Sequence, residues 1–440
     1  MAPRPPFSRG SSVPSGRLSR LARFGGLAAG LGGGLLIDAA GQAVRGRRPR
    51  LEDLILTPGN VLKVTDQLAS LRGAAMKMGQ LISMDAGDVL PPELAAIMAR
   101  LRADADPMPR RQLQGVLEGV WGRGWETRFD FFDHRPIAAA SIGQVHRALT
   151  TDGRLLAIKV QYPGVARSID SDVDNVATLL RMSGIVPKQL DVAPLLAEAK
   201  RQLHEEADYE REAACMERFG ALLAGEEDFL VPEVHRDLSG PTVLAMTFVE
   251  SVPIESLERL SQAVRDRVAR LLIDLALREL FAFQLMQTDP NLANYRYQPE
   301  TGRIVLLDFG ATRAYAQELA EGCRRLGSAG LTGDRPAARQ ALLDIGLLDE
   351  SVPQRHQDRV MAMFEMALEP LRRSDVFDFG DRSIAETMRE QSLAFADERD
   401  GWRLPPVDAL FLQRKFGGTY LLAARLRAKV DVKSLLAVHL

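Results

Sequence analysis

The sequence predicts an α+β fold in two lobes, with a helical extension before the first lobe and extra helices after the second. Three features carry that expectation. Residues 127–161 read as a run of strands, and Val243–Pro253 as a further strand running into a turn. Val264, Val268, Leu272, Leu275 and Leu280 make one apolar face of a long helix. That helix leads into a polar loop, T-D-P-N-L-A-N-Y from Thr288, and then into a short apolar strand, Ile304–Leu307, that ends in D-F-G. A chain of 440 residues is long enough for two or three domains, or for one two-lobed domain with extensions.

The bulk numbers exclude several classes. A content of 46% hydrophobic and 26% charged residues is that of a soluble globular protein. A formal charge of −2 points to no nucleic-acid partner. Cys215 and Cys323 lie far apart, so neither a disulfide framework nor a zinc site is implied, and a reducing, intracellular compartment is expected. His134, His146, His204, His235, His356 and His439 are scattered, with no H-E-x-x-H or C-x-x-C, and read as structural or surface residues. The expected organisation is an arm over 1–50, a helical extension over 51–115, a first lobe over 116–250 and a second over 251–440.

In the arm, Arg4, Arg9, Arg17, Arg20 and Arg23 precede a glycine-rich apolar run, Phe24–Ile37, and Arg45, Arg47, Arg48 and Arg50 follow it. The run is shorter than the roughly 20 residues a spanning helix needs. Gly26, Gly30 and Gly34 have the spacing that lets helices approach closely in lipid. The alternatives are a basic interfacial anchor that meets anionic lipid and a disordered basic arm. In the extension, Thr57-Pro58 starts a helix whose apolar face is Val64, Leu68, Leu71, Ala75, Met78 and Ile82. Beside that face sits Lys77-Met78-Gly79-Gln80. A glycine inside a helix costs about 1 kcal/mol against alanine, so Gly79 should serve close packing. Lys77 and Gln80 are neighbours on the helix surface, and taken alone they read first as solvated side chains. Pro91-Pro92-Glu93 starts another helix, and residues 104–109 look like a linker.

The first lobe holds the next informative stretch. Ala138-x-Ala140-x-x-Gly143-x-Val145 aligns with a nucleotide loop of the form G-x-G-x-x-G-x-V, with alanines at the earlier glycines. Alanine keeps the small size but restricts the backbone, so the loop, including Ala139 and Ser141, should be stiffer. Thr151-Asp152-Gly153 is a hairpin turn, and Leu155–Val160 is a strand that carries Lys159 in a V-A-I-K-like context. Residues 165–219 read as two helical stretches. The second offers Glu206, Asp208 and Glu212 as carboxylates for that lysine, with Asp208 and Glu212 on one face. Backbone groups near Thr247, Phe248 and Val249 are placed to meet an adenine edge.

The second lobe carries the chemistry. Asp289 and Asn294 are five residues apart, and Asp308 follows Asn294 by fourteen. One loop carboxylate can serve a reacting hydroxyl, while an amide oxygen and a second carboxylate suit Mg2+, a hard cation that takes oxygen ligands. The order Asp, Asn, D-F-G marks phosphoryl-transfer sites of the protein-kinase kind. Two departures stand out: Gln287-Thr288 replaces the usual H-R, and no A-P-E follows, so no peptide-docking platform is visible. Residues 314–325 pass directly into a helical pattern, and 330–440 are helical pieces with a loop around Asp375–Arg382. The tail Arg414–Arg427 is rich in leucine and arginine and carries Gly417-Gly418.

Taken together, Lys77-x-Gly79-Gln80, Ala138-Ala139-Ala140-Ser141-Ile142-Gly143-Gln144, Lys159, Glu206-x-Asp208, Glu212, Asp289-x4-Asn294 and Asp308-Phe309-Gly310 resemble the UbiB family of atypical protein-kinase-like proteins. The family is linked to ubiquinone biosynthesis. The resemblance covers roughly residues 55 to 345. It implies a two-lobed protein-kinase-like fold whose N-terminal extension lies over the active site, with Lys77 and Gln80 directed inward near Glu206 and Asp208. It also implies an ATPase or small-molecule kinase that uses ATP and Mg2+. In that reading Lys159 holds the phosphates and Glu212 orients it. Asn294 and Asp308 bind Mg2+, Asp289 serves the attacking hydroxyl or water, and Lys77, Gly79, Gln80, Glu206 and Asp208 gate the site. The implied partners are ATP and ADP, a lipid or isoprenoid-quinone precursor, quinone-biosynthesis enzymes and a membrane surface. The implied location is cytoplasmic, peripheral at the inner membrane face. Two other readings stay open: a small-molecule phosphotransferase, and a lipid-binding scaffold switched by nucleotide.

Overall fold

The computed structural model describes residues 108–140, 142–182, 193–383, 386, 387, 390 and 405–440. The basic arm, the K-x-G-Q helix with Lys77, Gly79 and Gln80, and Ser141 lie outside the described residues. The described chain divides into two compact units. One takes residues 108–211 with Val234–Phe248, and the other takes Glu212–Glu233 with Val249–Leu440.

The first unit opens with helix α1 (Arg110–Trp121), which buries Leu113, Leu117 and Trp121 at every fourth position and stops at Gly122, whose φ is 82°. Strands β1 (Phe129–Phe132), β2 (Ala138–Ala139), β3 (Gly143–Thr150), β4 (Leu155–Gln161) and β6 (Val243–Thr247) follow, with the short β5 (Phe229–Leu230) of the other unit lying between β4 and β6 in sequence. They form an antiparallel sheet in the order β1-β3-β4-β6, with β2 folded back on β3. The expected turn closes β3 onto β4: Gly153 has φ 88°, and its N–H donates to Thr150 O at 2.9 Å. Leu156, Ile158 and Val160 alternate along β4 and are fully buried against Leu113, Leu117, Trp121 and Trp125. Full burial of such side chains contributes about 1.5–3 kcal/mol each. The indole N–H of Trp121 donates to Leu238 O at 2.9 Å, so the aromatic cluster leaves this donor satisfied.

Where two helical stretches are predicted over 165–219, the described residues form three: α2 (Val165–Met182), α3 (Ala193–Glu206) and α4 (Tyr209–Leu222). The break falls at Asp208, whose carboxylate accepts from Arg211 N at 2.9 Å in the manner of a helix cap. Asp208 and Glu212 therefore do not share a face of one continuous helix, which corrects the sequence reading.

In the second unit, β7 (Val252–Pro253), β9 (Tyr295–Gln298) and β10 (Arg303–Leu306) join β5 in a sheet ordered β5-β10-β9-β7. Helix α5 (Gln262–Phe281) buries Val268, Leu272, Leu275 and Leu280, as its apolar face predicts, and also Glu279. Strands β8 (Leu285–Gln287) and β11 (Thr312–Ala314) pair beyond its end. Helices α6 (Gln317–Thr332), α7 (Arg335–Asp344) and α8 (Gln354–Arg373) follow β11, as the helical pattern after residue 314 predicts. The chain ends with β12 (Phe377–Asp378), α9 (Val407–Arg425), β13 (Lys429–Val430) and α10 (Val432–His439), and β12 pairs with β13. Neither Cys215 nor Cys323 forms a disulfide, and burial pushes the Cys323 thiol up to about 11. Among the described residues no helix is long and apolar enough to cross a membrane.

Candidate active site

Two strand pairings build the candidate site of the second unit. In the β9/β10 hairpin, Tyr295 faces Leu306, and the next step outward is Leu307 N donating to Asn294 O at 3.1 Å. Asp308 is the following residue. Asn294 and Asp308, fourteen residues apart, are therefore brought to the open end of one hairpin. In the second pairing Gln287 faces Thr312, and Thr288 extends it by donating to Ala311 O from its N–H at 3.2 Å and its hydroxyl at 2.7 Å. Asp289 is thereby set beside the D-F-G segment. A brace joins the two pairings: Asn294 Nδ2 donates to Asp289 O at 3.1 Å, and Gln287 Nε2 donates to the same oxygen at 2.9 Å.

That brace tests the fit to a metal. With its Nδ2 spent on Asp289 O, the Asn294 amide offers Oδ1 as its acceptor atom. Asp308 Oδ1 accepts from Gly310 N at 3.0 Å, which holds the carboxylate over the turn. An amide oxygen and a carboxylate fit Mg2+, which binds one or two protein oxygens and completes its shell with water and phosphate. Among the described residues no cluster of three or more His, Cys, Asp and Glu forms a closed metal cage. Phe309 of the D-F-G is buried, and its ring lies 4.9 Å from that of Phe219 on α4, the helix that also carries the buried Glu212.

What packs on this loop has no local signal in the chain. Arg414 of α9 donates from Nη2 to Asp289 Oδ1 at 2.5 Å. The next residue, Lys415, is buried, with Nζ 2.7 Å from Glu279 Oε2, 2.9 Å from Gln287 O and 3.2 Å from Tyr295 Oη. Burial works against the lysine's charge, but Glu279 and Tyr295 outweigh it and leave its pKa raised. Arg313, just past the D-F-G, bonds Asp408 at 2.7 Å near the start of α9 and stacks on Phe411 at 4.5 Å. The backbone at Gly418 lies on Pro290, where an added Cβ would come within 2.1 Å of the proline Cβ.

In the first unit, Lys159 lies on β4, the strand between β3 and β6, so it is a buried lysine of a central strand. Alternation turns it away from Leu156, Ile158 and Val160, to the side where its Nζ is 5.2 Å from the Tyr209 ring centroid. Ala138 faces Val145 and Ala139 faces Gln144, and Ala140 N donates to Gly143 O at 2.9 Å, so the alanine segment is a tight hairpin. Ala138 and Ala139 are exposed, and Gly143 is buried. A Cβ at Gly143 would meet Val160 O at 2.5 Å and Tyr209 Oη at 2.6 Å, so only glycine lets β3 pass there. Gln144 carries a buried network: its Oε1 accepts from Met108 N at 2.7 Å, and its Nε2 lies 2.8 Å from His146 Nε2. His146 Nδ1 lies 2.7 Å from Asp133 O, and burial lowers the pKa of this histidine. The network assigns the neutral ring, with Nδ1–H donating to the carbonyl and Nε2 accepting from the amide.

The other expected residues fall as follows. Glu206 ends α3 and is half-buried, while Asp208 is exposed. Phe248 N donates to Leu155 O at 2.9 Å, so this amide is spent within the sheet and does not serve an adenine edge. Thr247 Oγ1 lies 3.0 Å from His235 Nε2, and Val249 O accepts from the Ser251 hydroxyl at 3.0 Å.

Comparison with known proteins identifies the family. Residues 100–342 match the ABC1 atypical kinase-like domain. The chain is 38% identical over 427 residues to the atypical kinase COQ8B, mitochondrial, of Danio rerio, covering 96% of this chain and 68% of that protein. It is 37% identical over 431 residues to the atypical kinase COQ8, mitochondrial, of Saccharomyces cerevisiae, covering 97% and 85%. Among solved structures, Rv3197 of Mycobacterium tuberculosis, in complex with erythromycin, superposes with a TM-score of 0.61 at 26% identity, covering 85% of this chain and 93% of that one.

Proposed function

The chain belongs to the ABC1 family of atypical kinase-like proteins, and on that premise we propose that it turns over Mg-ATP at a membrane surface in support of ubiquinone biosynthesis. It is an ATP-dependent atypical kinase or ATPase. The observation that carries the reading is the double strand pairing that gathers Asp289, Asn294 and Asp308 at one end of the second unit.

Asp289 accepts the proton of the attacking hydroxyl or water as that oxygen bonds to the γ-phosphorus, while the bond from that phosphorus to the β,γ-bridging oxygen breaks and ADP leaves with the electron pair. Asn294 and Asp308 would hold Mg2+, which neutralises charge on the phosphate oxygens when bound. Lys159 takes the nucleotide phosphates, and Glu212 balances its charge. Ala138, Ala139, Ala140 and Ser141 cover the phosphates with Val145, while Gly143 permits the close packing beneath them. Thr247 and Val249 lie where the adenine binds. Lys77, Gly79, Gln80, Glu206 and Asp208 gate the site. The acceptor is a lipid or isoprenoid-quinone precursor or water, and quinone-biosynthesis enzymes are the partners. The relatives named above are mitochondrial, and we place this chain as a peripheral protein on the cytoplasmic, inner membrane face.

The test is ATP turnover by the purified chain with anionic liposomes, beside Asp289→Asn and Asp308→Asn. Removing the proton acceptor should lower turnover about 10²–10⁴-fold. Turnover by Asp289→Asn equal to the parent would dismiss the assignment.

A further inference from the structure

We infer that helix α9 is part of the catalytic apparatus, with Arg414 as the positioning residue that fixes the Asp289 carboxylate. The inference rests on reading Asp289 as the proton acceptor. Ordinary protein kinases place H-R directly before that aspartate, whereas this chain has Gln287-Thr288 there. A cation reaches the same carboxylate from 125 residues further along, with Arg414 Nη2 at 2.5 Å from Oδ1. The arginine side chain is 9% exposed and the aspartate 18%, so solvent screens this pair less than a surface pair.

Other contacts make the helix a seat for the whole loop. Lys415 binds Gln287 O at 2.9 Å, two residues before Asp289. Gly418 stands one turn after Arg414 on the same helix face and lets the backbone rest on Pro290, the residue after Asp289. One helix thus holds the loop on both sides of the acceptor and at the acceptor itself. A carboxylate on a loop must be held within hydrogen-bond reach of the proton it takes, and a displacement of 1 Å can cost about 10²-fold in rate.

Steady-state ATP turnover of the full chain with anionic liposomes tests this in Arg414→Gln, Arg414→Lys, Gly418→Ala, Asp289→Asn and the Asp289→Asn/Arg414→Gln double variant. Arg414→Gln should lose at least about tenfold in kcat with KM for ATP within about twofold, the pattern of a contact that matters in the transition state. Arg414→Lys should recover part of that loss. Gly418→Ala keeps every charge and should lose kcat several-fold, and the double variant should be no slower than Asp289→Asn alone. Wild-type or faster turnover by Arg414→Gln overturns the inference. If that variant does not fold, wild-type kcat in folded Gly418→Ala overturns it. Unchanged turnover in Asp289→Asn overturns the reading of the aspartate, which is a separate failure.

Discussion

Replacing Lys415 by methionine is the sharpest test of how α9 is held. The side chain is 2% exposed and its partner Glu279 is 1% exposed, so the pair at 2.7 Å is sealed from water. Methionine keeps much of the volume but leaves the Glu279 carboxyl without its ammonium, and it also strips Gln287 O and Tyr295 Oη of a donor. Removing one partner of a buried pair costs about 3–5 kcal/mol. Against a total stability of about 5–15 kcal/mol, that is a large fraction. At roughly 2–4 °C per kcal/mol for a unit of this size, the unfolding midpoint should fall by about 6–20 °C. Thermal unfolding followed by circular dichroism reads this directly. The double change Glu279→Leu/Lys415→Met should regain most of the loss, because an apolar pair of similar volume often matches a buried ion pair. A single variant that loses under about 1 kcal/mol, or a double variant no better than the single, would refute the argument.

Other outcomes follow from the same geometry. Gly143→Ala should cost about 1–3 kcal/mol by overpacking, and adding Tyr209→Phe should not restore it, because Val160 O remains 2.5 Å from the new methyl; unchanged midpoints would refute this. The folded His146 ring has a pKa below its ordinary 6.5, so below pH 6.5 the unfolded chain binds more protons, and stability should fall on acidification and level off above that value. Melting curves between pH 7.5 and 5.5 check this, with a flatter slope expected in His146→Gln. Ala140→Gly should loosen the alanine hairpin and change the ratio of ADP to ATP affinity; equal ratios by titration would count against the stiff-loop argument.

Much of the frame was legible because it is written in local spacing. The alternation around Lys159, the Thr151-Asp152-Gly153 turn and the apolar face of α5 each depend on residues close in sequence. The separation of Asp289, Asn294 and Asp308 was legible for a related reason: a short hairpin and a short pairing suffice to join them. Other features depend on distant partners. Asp208 looks like one more acid in a helical run, and only its bond to Arg211 N reveals a cap. Gly143 reads as a phosphate-loop glycine, while the cause visible in the fold is the nearness of Val160 O and Tyr209. Phe248 N is claimed by Leu155, a pairing that register alone decides. Arg414 and Lys415 look like an ordinary basic patch, and their partners Asp289 and Glu279 lie more than a hundred residues away. One local signal was there to be found: Leu113, Leu117 and Trp121 carry the helical period of α1.

The central claim, that Asn294 and Asp308 together hold the metal of a bound nucleotide, is tested most directly by thermal stabilisation with ATP in Mg2+ and in EDTA. The parent chain should gain stability from ATP only when Mg2+ is present, and Asp308→Asn and Asn294→Ala should each lose that gain, read against the same variant's own nucleotide-free midpoint. Equal stabilisation in EDTA, or an undiminished Mg2+-dependent gain in both variants, would contradict it.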